Sequence, residues 1–208
     1  MRNESIGDWL DDLASSKATP GGGAAAALSA ATGAALVEMV TNLTIGKRKY
    51  AEYEETMRDV RDEATRARAR ALELAREDEA AFDKVMAAYG LPKDSEDAAR
   101  ARTAAIQAAL VDAAEAPLRI AEVAAHIIAL SERMLEGANV NLISDITVAV
   151  ESANAALRSA QANVDINLAS MKDAAQRDEI AARLQEHLAA VSRGEQVTAT
   201  ISARVNGG

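Results

Sequence analysis

Cysteine is absent from the 208 residues, proline occurs only at Pro20, Pro92 and Pro117, and aromatic side chains make up 2% of the chain. Without thiols there is no disulfide, thiolate nucleophile or thiolate metal site, and His126 and His187 are the only imidazoles. Zinc and iron–sulfur chemistry are therefore not expected, and no metal is assigned. With so little proline, and with glycine sparse between residues 47 and 136, almost nothing interrupts a helix in this alanine-rich chain. An all-α fold is expected: one domain over residues 1–208, built as a multihelical bundle of long antiparallel helices. Basic residues are in deficit, 23 Lys plus Arg against 32 Asp plus Glu, for a net charge of −9. That balance and the lack of stacking platforms argue against nucleic acid as a partner. The amino terminus has acidic residues where a secretory signal needs a basic start and an apolar run, so a cytoplasmic location is expected. Residues 24–45 are long enough to span a bilayer, but they are mostly alanine and include Glu38, Thr41 and Asn42. They read as a buried central helix, with no membrane partner.

What is present divides into helices. Residues 5–14 form a short first helix, and Thr19-Pro20-Gly21-Gly22-Gly23 is the strongest breaker. The central helix follows, with Gly46 as its C′ residue, and residues 49–89 read as one very long helix. Residues 90–94 turn the chain, and Ser95 caps a helix to about Glu115, where Pro117 restarts or kinks it into a further helix to about Glu136. Residues 137–141 form a loop, residues 145–171 a long helix, and the remainder to Arg204 is amphipathic helix with a gap near Gly194. On the long helix Met57, Ala64, Ala71, Asp78 and Val85 lie seven apart, interleaved with Val60, Ala67, Leu74, Ala81 and Ala88. Asp78 is the one charge on this packing stripe. Burying it costs several kcal/mol, in order of magnitude, unless it is paired or neutralised, so it is either a register-setting polar residue or a site residue.

Three further groups carry chemistry. Backbone N–H groups of Gly21, Gly22 and Gly23 could hold an anion, or these glycines could simply allow close packing. Lys47, Arg48 and Lys49 form a local positive spot in an acidic protein, either for an anionic metabolite or for the helix dipole. The cluster Asn139, Asn141, Ser144 and Asp145 is the richest in polar groups, although Ser144 or Asn141 could be a helix cap. On the same helix Asp145, Ser152, Asn163 and Asn167 share a face beside the apolar stripe Ile146, Val150, Ala153, Leu157, Ala160 and Val164, a pattern that suits a solvated face or a cleft wall rich in amides.

Taken in order, the Thr19 to Gly23 segment and its alanine-rich helix, Met39 to Tyr50, Asp78-Glu79-Ala80-Ala81-Phe82, Tyr89 to Lys93, Asn139 to Asp145 and Asn163 to Leu168 resemble the family of folate-dependent cyclodeaminases and cyclohydrolases. The set spans most of the chain. One departure is Ala138, where family members usually carry the glycine of a Gly-Asn-x-Asn loop. The resemblance implies an all-helical homodimer acting on the one-carbon unit of tetrahydrofolate, with no cofactor beyond that substrate. The segments at Ile45 to Lys47 and Leu91 to Lys93 look closer to stand-alone bacterial methenyltetrahydrofolate cyclohydrolases than to cyclodeaminase domains that release ammonia. It further implies Asp145 as the group orienting or deprotonating water and Asp78 as the proton donor to the departing ring nitrogen. Pro20, the three glycines and Ser144 would line the substrate site. Asn139, Asn141, Asn163 and Asn167 would bind the pterin or fix the carboxylates, Lys47 and Lys49 would hold the glutamate tail, and Phe82, Tyr50, Tyr53 or Tyr89 would supply any stacking. A non-catalytic helical dimer is the alternative of another class. A central helix of 22 residues is roughly 33 Å long, so its two ends cannot grip one end of one folate. Either it breaks near Gly33, or two chains meet head to tail through Ala26, Ala30 and Ala34.

Overall fold

In the computed structural model, which describes residues 4–206, every regular element is helical. Helix α1 spans Ile6–Leu13, α2 Gly22–Asn42, α3 Glu54–Tyr89, α4 Glu96–Met134, α5 Ile143–Leu168, α6 Ala174–Leu188 and α7 Ala190–Asn206. The all-α expectation holds. Helices α2, α3, α4 and α5 run alternately up and down and pack in a square, each against its neighbours in sequence and α2 also against α5. Helices α6 and α7 lie across α4 and α5, while α1 is held to the bundle by the buried indole of Trp9.

The seam on α3 is the core stripe: Met57, Val60, Ala64, Ala67, Ala71, Leu74, Ala81, Val85 and Ala88 are all buried. Facing it, α2 buries Ala24, Ala27, Ala30, Ala34, Val37 and Val40. Small side chains let the backbones come close, and at Gly33 a Cβ would lie 2.9 Å from the carbonyl oxygen of Ala149 on α5. By length and composition α2 could cross a bilayer, but here it is the central helix, packed on three others. Ala26, Ala30 and Ala34 are spent inside the chain, at 2%, 0% and 0% exposure. They are therefore not a face for a second copy, which corrects the expectation placed on them. Nor does α2 break at Gly33.

Side-chain caps from Ser5, Ser95 and Asp173 open α1, α4 and α6. Ser5 accepts from Asp8 N–H and Ser95 from Ala98 N–H; α2 ends at Asn42 with Leu43 as its C-cap, so Gly46, at φ +78°, closes the turn that follows rather than serving as the C′ residue expected of it. Residues 48–53 form a 3-10 turn kinked at Tyr50 rather than the start of α3. Pro117 neither restarts nor breaks α4, which runs through it for 39 residues. The last break falls at Ala189, not at Gly194, which sits inside α7 close to Val150 and Asn154. Ala138 is buried and takes no left-handed conformation, so the loop accommodates alanine without strain.

Candidate functional site

Helix α2 starts at Gly22 with Gly21 extended before it, and no side chain caps its first turn. The carboxyl of Asp78 occupies the space that a side chain at residue 23 would need: a Cβ built on Gly23 would lie 2.2 Å from Asp78 Oδ1. Glycine here is thus a steric requirement for Asp78 to reach the end of α2. Among the described residues no group donates a hydrogen bond to that carboxyl. Burial, and secondarily the charge of Glu79, push its pKa up from 3.8 to about 6.

Asp78 opens into a cleft of about 350 Å³. Phe82 and Val85, one and two turns further along α3, and Ile166 of α5 give it apolar walls; Asn163 and Asn167 of α5 and Thr19 give it polar ones. Both amides have fixed polarity. Asn163 Nδ2 donates to Ser159 O at 2.8 Å, and Asn167 Nδ2 donates to Ala113 O at 2.9 Å and Asn163 O at 2.8 Å. Both hydrogens of Asn167 Nδ2 are engaged on backbone carbonyls, so its Oδ1 remains to meet a ligand, while Asn163 keeps its Oδ1 and one amide hydrogen. The cleft accordingly offers amide acceptors, a carboxyl that changes protonation near neutrality, and no cationic side chain.

The other sequence candidates gather at the opposite end of α2 and α5. Asn139 is 5% exposed and its polar groups are committed to structure. Its N–H donates to Thr44 Oγ1 at 3.1 Å, its Nδ2 to Leu43 O at 3.5 Å, and its Oδ1 accepts from Asn141 N–H at 3.2 Å and Tyr50 OH at 3.3 Å. Val140 N–H donates to the same tyrosine hydroxyl at 3.1 Å. Asn139 and Tyr50 thus fasten the loop before α5 to the end of α2. Asn141 and Ser144 are exposed, Asp145 is half-buried, and neither Asn141 nor Ser144 caps α5, whose first turn has no side-chain cap. Lys47 and Lys49 are exposed, with Lys49 Nζ 5.4 Å from the centre of the Tyr50 ring, and neither is ion-paired with a described residue.

Within one chain, then, Asp78 stands with Gly21, Gly22, Gly23, Asn163 and Asn167, and Pro20 lies just outside that lining. Asp145 stands apart. Eighteen residues of α5 separate it from Asn163, roughly 27 Å at about 1.5 Å per residue. Of the stacking candidates only Phe82 lines the cleft. Ile166, an isoleucine set among polar residues on α5 and 68% exposed, is a wall the sequence signalled but the residue search passed over. Among the described residues no cluster of His, Asp or Glu is arranged to hold a metal ion.

An antiparallel helical square whose central helix opens on glycines, with a half-buried carboxyl and oriented amides at that end, defines an all-α bundle with a polar end cleft. The chain belongs to the formiminotransferase-cyclodeaminase family, whose profile matches residues 5–186. It is 46% identical over 205 residues to a methenyltetrahydrofolate cyclohydrolase of Methylorubrum extorquens, covering 98% of this chain and 99% of that protein. It is 32% identical over 173 residues to the formimidoyltransferase-cyclodeaminase of Rattus norvegicus, of which it spans 32%. The crystal structure of a formiminotetrahydrofolate cyclodeaminase from Thermotoga maritima superposes with a TM-score of 0.89 at 32% identity, over 98% of each chain. The resemblance drawn from the ordered motifs is borne out.

Proposed function

We propose that this chain hydrolyses 5,10-methenyltetrahydrofolate to 10-formyltetrahydrofolate, acting in the cytoplasm as a homodimer. The relative named for that activity is 46% identical from end to end, whereas the rat and Thermotoga maritima cyclodeaminases are each 32% identical. The observation that carries the chemistry is Asp78, a solitary carboxyl in a cleft with its pKa raised to about 6. In the reaction, water oxygen bonds to the cationic methenyl carbon and gives up a proton. The bond from that carbon to ring N5 then breaks as N5 gains a proton, and a second proton is released to solvent over the cycle. A carboxyl with a value near 6 is ionised enough at neutral pH to take the water proton and acidic enough to hand it on to N5. Asn163 and Asn167 present acceptors to pterin N–H groups, and Phe82 and Ile166 flank the ring.

The glutamate tail needs cations that the cleft lacks, and Lys47 and Lys49 are unpaired at the far end of α2. The outward faces of α2 and α5 bear no charge along the stripe from Leu28 and Thr32 to Met39 and Leu43, and from Val148 to Ile166. A second copy laid antiparallel on that face would bring the lysines, Asn141, Ser144 and Asp145 of one chain to the glycine end of the other. Asp145 would then orient the attacking water in the partner's cleft.

Loss of the methenyl chromophore well above its spontaneous rate tests the reaction. Ammonia release from 5-formiminotetrahydrofolate, without methenyl hydrolysis, would reassign the chain to cyclodeaminase chemistry. For the dimer, an Asp78→Asn chain is mixed with a Lys47→Gln, Lys49→Gln chain. The head-to-tail arrangement puts both defects into one of the two clefts and leaves the other intact, so at subsaturating polyglutamated substrate heterodimers should show about half the kcat/KM of the unsubstituted dimer. If isolated heterodimers show only the raised KM of the lysine variant, the cross-chain site is wrong.

A further inference from the structure

A proline in the middle of a helix removes one hydrogen bond and is strongly unfavourable there, so Pro117, buried within α4, calls for a reason. The carbonyl it deprives is that of Ala113, four residues earlier, which lines the cleft. Residue 117 has no N–H to offer, and the donor that reaches this carbonyl is Asn167 Nδ2 at 2.9 Å, from α5. The same nitrogen also donates to Asn163 O at 2.8 Å, so both amide hydrogens are engaged. Turning the amide over would place Oδ1 against two carbonyl oxygens with no hydrogen between them. Asn167 is thereby locked with its oxygen toward the cleft.

We propose that Pro117 is a positioning residue that frees the Ala113 carbonyl to hold Asn167 as a fixed acceptor, and that this acceptor selects a ring bearing an N–H donor. The inference rests on the folate reading above and adds to it how the polarity of one wall is set. It also explains how α4 tolerates a proline without breaking: the orphaned carbonyl is satisfied from a neighbouring helix.

Three variants and two readouts test it. In Pro117→Ala the restored N–H competes for Ala113 O, so the side-chain amide protons of Asn167 should exchange with solvent on the order of tenfold faster by nuclear magnetic resonance. With 5,10-methenyltetrahydrofolate, KM should rise by about 3- to 10-fold while kcat stays within about twofold, as for loss of one ground-state hydrogen bond. Asn167→Ala should give the same pattern, and the double variant should be no worse than Asn167→Ala alone, since Pro117 acts through Asn167. Asn167→Asp keeps an oxygen toward the cleft but replaces the donating nitrogen by a second oxygen, which the two carbonyls repel, and should also raise KM.

Unchanged amide exchange in Pro117→Ala, additive KM effects, or a wild-type KM in Asn167→Asp would each overturn the proposal. If the unsubstituted protein turns over no folate, the functional reading fails, while the exchange rate still decides the role of Pro117. Should Pro117→Ala not fold, the Asn167 pair decides the acceptor through KM.

Discussion

Replacing Asp78 by asparagine should make the protein more stable at neutral pH while disabling it. The carboxyl has an ordinary value of 3.8 and a folded value of about 6, with burial as the leading cause. The folded chain therefore binds this proton more tightly than the unfolded chain does. Below about 3.8 both states are protonated and the group carries no penalty; as pH rises through about 6 the ionised form must be held in the cleft, and that relative stability is lost. Two pH units correspond to about 3 kcal/mol. An amide in the same place must also find partners, at about 1 kcal/mol, so the expected gain for Asp78→Asn at pH 8 is about 1–3 kcal/mol. For a chain of this length, at about 2–4 °C per kcal/mol, that is a rise in Tm of roughly 2–12 °C. Thermal unfolding followed by circular dichroism from pH 4 to pH 8 should show the two curves converging at the acid end, separating as pH rises from about 4 to about 6, and holding that gap above it. Parallel curves, or a variant less stable at pH 8, would refute the burial argument. Activity should fall by about 10² or more, because the proton shuttle is gone.

If Asp78 must be ionised to accept the water proton, kcat/KM of the unsubstituted protein should climb with pH through about 6 and then level off, a profile measurable by stopped-flow loss of the methenyl band. Gly23→Ala should fold normally yet lose activity, because its Cβ would lie 2.2 Å from Asp78 Oδ1 and expel the carboxyl. Gly33→Ala should do the reverse, lowering stability by about 1–3 kcal/mol in denaturant titration through its 2.9 Å clash with Ala149 O, while the folded fraction keeps its kcat. Lys47→Gln with Lys49→Gln should raise KM for polyglutamated substrate and leave kcat nearly unchanged; an equal loss with a tail-less pterin would sever these lysines from the tail.

Much of the fold was legible because helix leaves a periodic trace. The seven-residue spacing on α3 identified its buried face, Ser95 marked the start of α4, and the apolar stripe of α5 is buried as read. The errors share a cause: partners from distant segments override local rules. Pro117 looked like a break because its sequence neighbours do not show that Asn167 takes the freed carbonyl. Residues 49–53 looked like the start of α3, whereas Tyr50 leaves helical geometry and points its hydroxyl at Asn139 and Val140. Among the site residues, Asp78 stood out from its own stripe, but spacing along a helix does not reveal which end faces which neighbour. Asn163, Asn167 and Asp145 share a face of α5 and still belong to opposite ends of the bundle.

That separation has a simple electrostatic logic. A substrate with a cationic reacting carbon and an anionic tail is poorly served by one uniform pocket. The cleft at the amino end of α2 holds Asp78 and outward-facing amide oxygens, which suit the cation and the ring N–H groups; the carboxyl end holds Lys47 and Lys49, which suit carboxylates. One chain keeps these opposite signs a helix length apart, so the lysines do not quench the carboxyl whose raised value the chemistry needs. Had Lys47 stood beside Asp78, the pair would have pulled that pKa down and left a carboxylate too weak a base to take the water proton. An antiparallel pair of chains in the proposed arrangement restores both signs to one substrate while holding the tail-binding cations away from the reacting carbon.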